Sequence, residues 1–599
     1  MWGTNAAPET NAKKICVASN RCLSPPAPSF ASLPSATPTA AASFHFHHPT
    51  QPKPVKMSRP SMAYNAAAGL SGMLKDGHEH YFDDSENGAV VARNITAACE
   101  LSRMLSSSMG PQGRCKLVVN HLEKIIVTSD CASILKEIMV EHPAAKMLEL
   151  AVEQQELECG DGTNLCLTFA GTLLTNTLDL MKTMGWKHAT DILEGYYLAS
   201  QKLQELLPAM VCEEIAHPAK DPEALKKVLK PVLASKQHGT EETLANLIAE
   251  ACTIVLKEGE VLQPENVRTV KILGGSLSQS ACVSGFVAQR GVETVLTSAK
   301  NAKICVFASG IEASGTEAKG TVLMKNAEDL KNYNKTEEKK MEEIIEGIAA
   351  SGVKVCVTGG NISDMALHFL DKFELVALKV SSKWELRRLC QATGATALVR
   401  LGAPTPEEIG TASVEQKVVG GRTVTVFEQE ESKLATLVLR ASTSSVLADL
   451  ERAVEDGVHA VQTACKDGRL VYGGGAAEMY ASVQLATFAD QHPGLEQYAI
   501  RAFSKSLECV SKTLATNAGW DALQVVADQR AAIASGASDT GVDIENSKGT
   551  TSMKEAQVYD LLACKISAFR LAVEAATTVL KVDQIIMSKQ AGGPKMPGQ

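Results

Sequence analysis

Three glycine clusters and two isolated acids are the residues of this chain whose types and spacing could do chemistry. MGPQG (109–113), CGDGT (159–163) and YGGGA (472–476) each have the composition of a turn that feeds a helix. Such a turn exposes backbone N–H groups at the positive end of the helix dipole, where a phosphate binds. CGDGT offers more than amides, because Asp161 and Thr163 add hard oxygen ligands of the kind that Mg²⁺ on a polyphosphate prefers. Taken singly, each cluster also describes a plain turn, and Thr163 also suits the N-cap of a helix. Asp130, at the end of KIIVTSD, reads alone as a turn residue. Asp456, two positions from both Val454 and Val458, falls off the apolar stripe and reads alone as a solvated carboxylate. The familiar phosphate loops are missing: there is no GxxxxGK[ST], and no GxGxxG lies between a strand and a helix.

The elements that must position these residues follow from periodicity. RNITAACELSRMLSS (93–107) has helical spacing, and KLVVN and KIIVTSD flank the polar turn HLE as a β-hairpin ending at Asp130. A helix is expected over about 143–157, then the break ECGDGTN, then TNLCLTFAGTLLTNTLDLMKTMG, apolar on most sides and therefore a buried helix opened by GDGT. Between about 300 and 400 the pattern changes to strands (AKICVFAS, KVCVTGG, ELVALKVS, ATALVRL) alternating with helices, which implies an α/β domain. After TLVLRA (436–441) one long helix carries Leu447, Leu450, Val454, Val458 and Val461 on one stripe. From Val471 to about Ile586 the chain is mainly helical again. The order predicts a first domain that the chain leaves and later re-enters.

Composition bounds the function. A chain of 599 residues, 45% hydrophobic and 21% charged, is an ordinary globular protein with room for several domains. No run approaches 18 uninterrupted apolar residues, which excludes a membrane-spanning helix. The net charge is -9, and the first 75 residues hold seven Lys/Arg against the single acid Glu9, so the remainder is too acidic for a general nucleic-acid binder. The 16 cysteines are scattered and form no CxxC pair, a pattern of buried thiols in a reducing compartment rather than of disulfides or a zinc site. Residues 1–60 hold ten of the 22 prolines and are expected to be disordered, either as an upstream extension before Met57 and Met62 or as a transit-like segment.

The succession LSSSMGPQGRCK, VTSDCASIL, ECGDGTN, LERAVEDGV, VYGGGAAE, TNAGWDAL and KVDQII closely resembles the group II chaperonins, in order, from about residue 69 to 593. The segments NHLEK, HPAAKM, SKQHG, TEAKGTVL, SKWELRRLC and PGLEQYAI resemble one subunit type of the eukaryotic cytosolic member, TRiC/CCT. The resemblance implies an α+β multidomain chaperonin fold: a disordered extension (1–60), a mainly helical equatorial domain from both chain ends (69–211 and 468–590), a hinge-like intermediate domain (212–270 and 433–467) and an α/β apical domain (271–432) whose lid protrusion falls at about 310–346. It implies ATP and Mg²⁺ as cofactors. Gly110 and Pro111 would face phosphate, Asp161 would be the Mg²⁺ ligand, and Gly162, Thr163 and Asn164 would hold phosphate oxygens. Gly474 and Gly475 would face the nucleoside, Asn517 to Asp521 would form the adenine-side segment, and Asp560 would contact ribose. Asp130 and Asp456 would orient and activate the attacking water, and Lys236 would sense the γ-phosphate.

By the same resemblance the chain is an ATP hydrolase subunit of a cytoplasmic hetero-oligomeric double ring. Its partners would be related subunits and unfolded polypeptides such as actin and tubulin, with neither nucleic acid nor membrane. The sequence departs from the family pattern at Cys131 (usually glycine), Gly457 (alanine), Tyr472 (proline) and Leu561 (proline), none of which removes a charge from the site. Two other classes are compatible with the residues: a ring subunit that binds ATP but hardly hydrolyses it, and a stand-alone α/β enzyme, for which no nucleophile and base pair is present.

Overall fold

The computed structural model describes residues 89–586, apart from 186–188, 216–220, 257–260, 313–326, 430–431 and 546–548. The proline-rich segment 1–60 and residues 313–326 of the excursion at 310–346 lie outside the described residues. The helix Ala327–Ala350, which ends that excursion, is described.

The elements expected from periodicity form with small shifts of boundary. The first helix is Ala89–Ser106, the hairpin pairs Lys116–Val119 with Ile125–Thr128, and the next two helices are Pro143–Cys159 and Thr163–Met184. The last of these buries Leu167, Phe169, Leu173, Leu174 and Met181. Phe169 lies at its centre, with its ring edge-on to Phe503 at 5.4 Å and to Phe569 at 5.0 Å. Those partners sit on the helices Glu496–Leu507 and Leu562–Lys581, near the other end of the chain. Each large apolar side chain buried in this way contributes about 1.5–3 kcal/mol. One apolar core therefore draws on residues 95–207 and 471–580 together.

A second core joins the helices Pro222–Ala234, Glu241–Val255 and Ser444–Lys466 to one face of the strands Val267–Leu273 and Ala435–Ala441. Beyond it lies a sheet of nine strands. Eight run in the order 267–273, 435–441, 281–288, 422–428, 410–419, 298–307, 353–358 and 376–379, and Ala397–Leu398 pairs with Ser298–Phe307. The alternation seen at 300–400 corresponds to the parallel part, 298–307 with 353–358, 376–379 and 397–398. The antiparallel strands 281–288, 410–419 and 422–428, which that alternation did not indicate, complete the sheet. Separate apolar clusters, centred on Ile304, Val355 and Leu378 and on Phe307, Ile345 and Cys356, pack this region.

A small three-stranded sheet matters most for the site. Arg469–Tyr472 pairs with Glu213–Glu214 on one edge and with Tyr559–Leu561 on the other, so that Val471 faces Asp560 across the ladder. Strands from three distant stretches of chain thus meet beside the glycine cluster 473–475.

Candidate functional site

A cavity of about 600 Å³ opens where the first core meets the helix Pro222–Ala234. Ten of the residues singled out in the sequence line it: Gly110, Pro111, Asp161, Gly162, Thr163, Asn164, Lys236, Gly474, Gly475 and Asp560. Two helices, Thr163–Met184 and Ala476–Gln491, begin at cavity glycines, Gly162 and Gly475, and neither has a side chain capping its first turn. Apart from Ala476 N, which donates to Gly473 O at 3.1 Å, the N–H groups of both first turns are open to an anion, with both dipoles favouring negative charge. Thr163 is the first helical residue and not the N-cap, because Gly162 takes that place at φ +79°. A side chain there is excluded as well: a Cβ on Gly162 would stand 2.9 Å from Cys564 Sγ, and one on Gly110 (φ +82°) would stand 2.4 Å from Leu514 Cδ2.

Side-chain amides fasten the loops to one another. Asn164 Nδ2 donates to Ser108 O at 3.3 Å, and Asn517 Nδ2 donates to Ser106 O at 3.2 Å and Met109 O at 2.8 Å. Gln155 Nε2 (2.8 Å) and Cys564 Sγ (3.3 Å) both donate to the Asp161 carbonyl. Asn517 and Asp521, like Asp130 and Asp456, are not among the residues that line the cavity. Asn517 positions the 106–109 loop, and Asp521 caps the helix Ala522–Ala534 by accepting from Leu523 N at 3.0 Å.

The two isolated acids meet at one lysine. The helix Pro222–Ala234 ends at Ser235, which delivers Lys236 to the cavity edge. Its Nζ lies 2.6 Å from Asp130 Oδ1 and 2.9 Å from Asp456 Oδ2. Asp130 also caps the helix Cys131–Glu137 through Ser133 N at 2.9 Å. Asp456 is buried, against the expectation of a solvated carboxylate, because the flank of its apolar stripe faces the helix Pro222–Ala234 and not water. Beside it a Cβ on Gly457 would stand 2.9 Å from Ile248 Cδ1.

Burial alone would raise both acids, but their surroundings separate them. Lys236 and the Ser133 bonds outweigh burial at Asp130 and hold its carboxyl far below the usual range. At Asp456 burial wins, with the Asp130 charge adding to it against the pull of Lys236, and the carboxyl is pushed up to about 8. The Lys236 contact at 2.9 Å is an ion pair outside hydrogen-bond geometry, and Asp456 Oδ2 has no hydrogen-bond partner among the described residues. Burial opposes the Lys236 ammonium, yet Asp130, Asp456 and Asp161 together raise it well above an ordinary lysine.

Two further charged residues were missed in the sequence. Lys565 and Glu478 both line the cavity and are almost wholly buried, and Lys565 Nζ bonds Glu478 Oε1 at 2.6 Å and pairs with Asp560 Oδ2 at 2.9 Å. The signal was a lone lysine in the otherwise apolar run LLACKISAF and a glutamate just after GGGAA.

Seven carboxyl groups line the cavity, Asp161, Glu241, Glu478, Asp543, Glu545, Glu555 and Asp560, and Asp130 and Asp456 stand behind Lys236, against the ammonium groups of Lys236 and Lys565. A bare polyphosphate would meet net repulsion here, whereas one carrying a divalent cation would not. Burial raises the Asp161 carboxyl, and Asp560 and Asp130 add to that, which is the condition a nearby cation relieves. No group of three or more metal-ligating side chains occurs among the described residues, so a metal held here would share its ligands with the polyphosphate. No helix among the described residues is long and apolar enough to cross a membrane.

Comparison with known proteins agrees with this arrangement. The model of the TCP-1/cpn60 chaperonin family matches residues 101–590. The human protein called T-complex protein 1 subunit theta is 43% identical over 535 residues, 89% of this chain and 96% of that protein. Its namesakes from Dictyostelium discoideum and Arabidopsis thaliana are each 42% identical over 88% of this chain, covering 98% and 96% of their own lengths. With glycine loops and a lysine in one cavity, two acids paired to that lysine, and similarity running through nearly the whole described chain, this protein belongs to the TCP-1/cpn60 chaperonin family.

Proposed function

We propose that the chain is a theta-type subunit of a cytoplasmic group II chaperonin, an ATP-driven folding machine, and that the cavity is its ATP site. The observation that carries this reading is Lys236 bridging Asp130 and Asp456 at the edge of a cavity framed by three glycine loops. In this reading Gly110, Pro111, Gly162, Thr163 and Asn164 receive the phosphates, Gly474, Gly475 and Asp560 receive the nucleoside, and Asp161 holds Mg²⁺, which supplies charge neutralisation at the phosphates. Lys565 holds Asp560 in place.

Asp130 and Asp456 are suited to different parts of one task. Asp130, held as the anion, orients the attacking water by accepting a hydrogen bond. Asp456, with its carboxyl near the working pH, takes the proton. With Lys236 on both, neither is free to do so. A γ-phosphate that draws the ammonium away would release the pair, so that sensing and activation become one movement.

The cores described above support the domain reading: a body from both chain ends as equatorial domain, the helices packed on strands 267–273 and 435–441 as intermediate domain, and the nine-stranded region as the apical domain that binds clients such as actin and tubulin beneath a lid. A second reading, a ring subunit that binds ATP and barely hydrolyses it, draws on the same clamp, since Lys236 occupies both acids. Single-turnover hydrolysis at this subunit in the assembled ring separates the two. Native mass is the first test: a particle many times the 63.6 kDa chain with related but distinct subunits is expected, and a free monomer would overturn the proposal.

A further inference from the structure

Positions 449, 452 and 456 of the helix Ser444–Lys466 are spaced three and four apart and so share one face. From this face Asp456 pairs with Lys236. Two turns earlier, Asp449 Oδ2 accepts from Nε2 of Gln237, the chain neighbour of Lys236. Its other oxygen, Oδ1, accepts from Arg452 Nη2 at 3.2 Å, and the same nitrogen reaches the carbonyl of Val127 at 3.5 Å. Val127 lies in the strand that leads to Asp130, whose N–H donates to Thr128 Oγ1 at 3.1 Å. Gln237, Asp449 and Arg452 are not among the residues that line the cavity. They nevertheless join the lysine, and the approach to Asp130, to the helix that carries Asp456.

The turn that presents Lys236 has little of its own to hold it in place. Ser235 Oγ bonds back to Val232 O at 2.7 Å and Thr240 Oγ1 bonds Gln237 O at 3.3 Å, both within the same stretch of chain. Gly239, at φ +88°, has open space where a Cβ would stand. Among the described residues, Gln237 and Lys236 itself are the side chains that carry this turn across to another element. We propose that Asp449 is a positioning residue, which holds the Lys236 turn through Gln237 and the Asp130 strand through Arg452 in fixed register with Asp456, so that only the lysine ammonium moves when a γ-phosphate draws it. The effect on hydrolysis rests on the reading of the cavity as an ATP site, whereas the tie itself does not.

The other side of the same helix provides the contrast. Glu451, about 200° round the helix from Asp449, pairs with Lys271 Nζ at 2.5 Å and accepts from Thr269 Oγ1 at 3.3 Å. Both partners lie on the strand Val267–Leu273, so this contact fastens the helix to the sheet, and neither adjoins Lys236 or Asp130 in the chain. An ion pair three positions apart on a helix, such as Asp449 with Arg452, contributes little when it stands alone. Here it is the middle link of a chain of bonds that reaches Gln237, 212 positions from Asp449, and Val127, 325 positions from Arg452.

The test uses the full chain in its assembled ring, with the other subunits unaltered. Asp449→Ala is expected to slow single-turnover hydrolysis at this subunit by about 10-fold to 100-fold, the scale for reacting groups misplaced by up to about 1 Å, while MgATP affinity changes by less than about twofold. Gln237→Leu, which cuts only the arm to the lysine, should give a similar loss, and the two together should slow the step by less than the product of the single effects. Glu451→Ala should leave the rate within about twofold of the unaltered subunit. Cryo-electron microscopy of the nucleotide-free Asp449→Ala ring should show Lys236 Nζ drawn away from Asp130 or Asp456. An unchanged rate, effects that multiply, equal slowing in Glu451→Ala, or Lys236 still on both acids overturns the positioning role and leaves the ATP reading standing. Should Asp449→Ala fail to assemble, the rate and the map of Gln237→Leu decide by the same criteria. If the unaltered subunit binds no nucleotide, the ATP reading fails and the map alone decides the tie: a displaced Lys236 supports it, and an undisplaced one overturns it.

Discussion

The body built from both chain ends and the sheet region between residues 267 and 441 bury similar kinds of apolar side chain, but they treat charge in opposite ways. In the sheet region every buried polar side chain among the described residues is neutral: Thr294, Thr358, Thr393, Thr425, Ser432 and Thr436. In the body and the helices beside it, Asp130, Asp456, Glu478, Glu508, Asp543 and Lys565 are all buried. Burying a charge costs several kcal/mol unless it is paired, and pairing often only breaks even. The sheet region avoids that cost. The cavity accepts it, because a fixed charge in a water-poor wall acts on a phosphate far more strongly than one in solvent. Buried charge is therefore a better marker of the site than any glycine cluster taken alone.

The strongest way to break this comparison is to remove the charges one by one. Asp456→Ala is expected to leave MgATP binding near normal and slow hydrolysis at this subunit by about 10²–10⁴-fold, as for a lost general base. Asp161→Ala is expected to weaken MgATP binding itself. Both are followed by site-specific crosslinking of labelled nucleotide and single-turnover hydrolysis, in a ring whose other subunits are unaltered. If Asp456→Ala abolishes binding, or leaves turnover untouched, the assignment of Asp456 to water activation is lost.

Next in size is a matched pair from the two regions. Lys565→Met strands Glu478 and Asp560 and is expected to cost about 3–5 kcal/mol of stability together with nucleotide affinity. Leu378→Ala, in the core of the sheet, should cost about 2–5 kcal/mol and leave nucleotide affinity unchanged. Denaturant midpoints and nucleotide titrations on the same preparations decide it, and an equal loss of affinity in both variants would remove the distinction between the regions.

Lys236→Ala should be smaller in binding and larger in response. ATP-dependent closure, read by protease resistance of the ring, is expected to fail while ADP affinity stays nearly intact. Equal loss of both would refute the sensing role.

The smallest effect is a pH slope. Between the ordinary carboxylate range and about 8 the folded chain keeps a proton on Asp456 that the unfolded chain has released, so this group lowers stability as pH rises through that window. Asp130 acts the other way. Its anion is favoured in the folded chain, so it adds stability above the ordinary carboxylate range, and that contribution is lost only as acid protonates it. Asp456→Asn should flatten the fall in stability between pH 5 and pH 8, and an unchanged slope would contradict the raised carboxyl.

Much of this was legible in the sequence, and the misses have a common form. The helices Pro143–Cys159, Thr163–Met184 and Ser444–Lys466 follow from apolar spacing within a few turns, and the glycine loops from composition alone. The antiparallel half of the sheet was not indicated by the alternation of strands and helices, because antiparallel neighbours such as 281–288 and 422–428 are distant in sequence. Asp456 was placed in water because helical periodicity gives the direction of a residue and not what stands there. Lys565 and Glu478 passed unnoticed because each is an unpaired charge until helices 87 residues apart in sequence are packed together.

By itself, then, the sequence determined the elements, their order, the loops fit for phosphate and the family to which their succession belongs, all of which depend on residues near one another in the chain. Only the tertiary structure decided that Lys236 closes on Asp130 and Asp456 and that Lys565 joins Glu478 to Asp560. The physical reason is that a charge acquires its chemistry from its neighbours and its distance from water, and here those neighbours come from separate stretches of the chain.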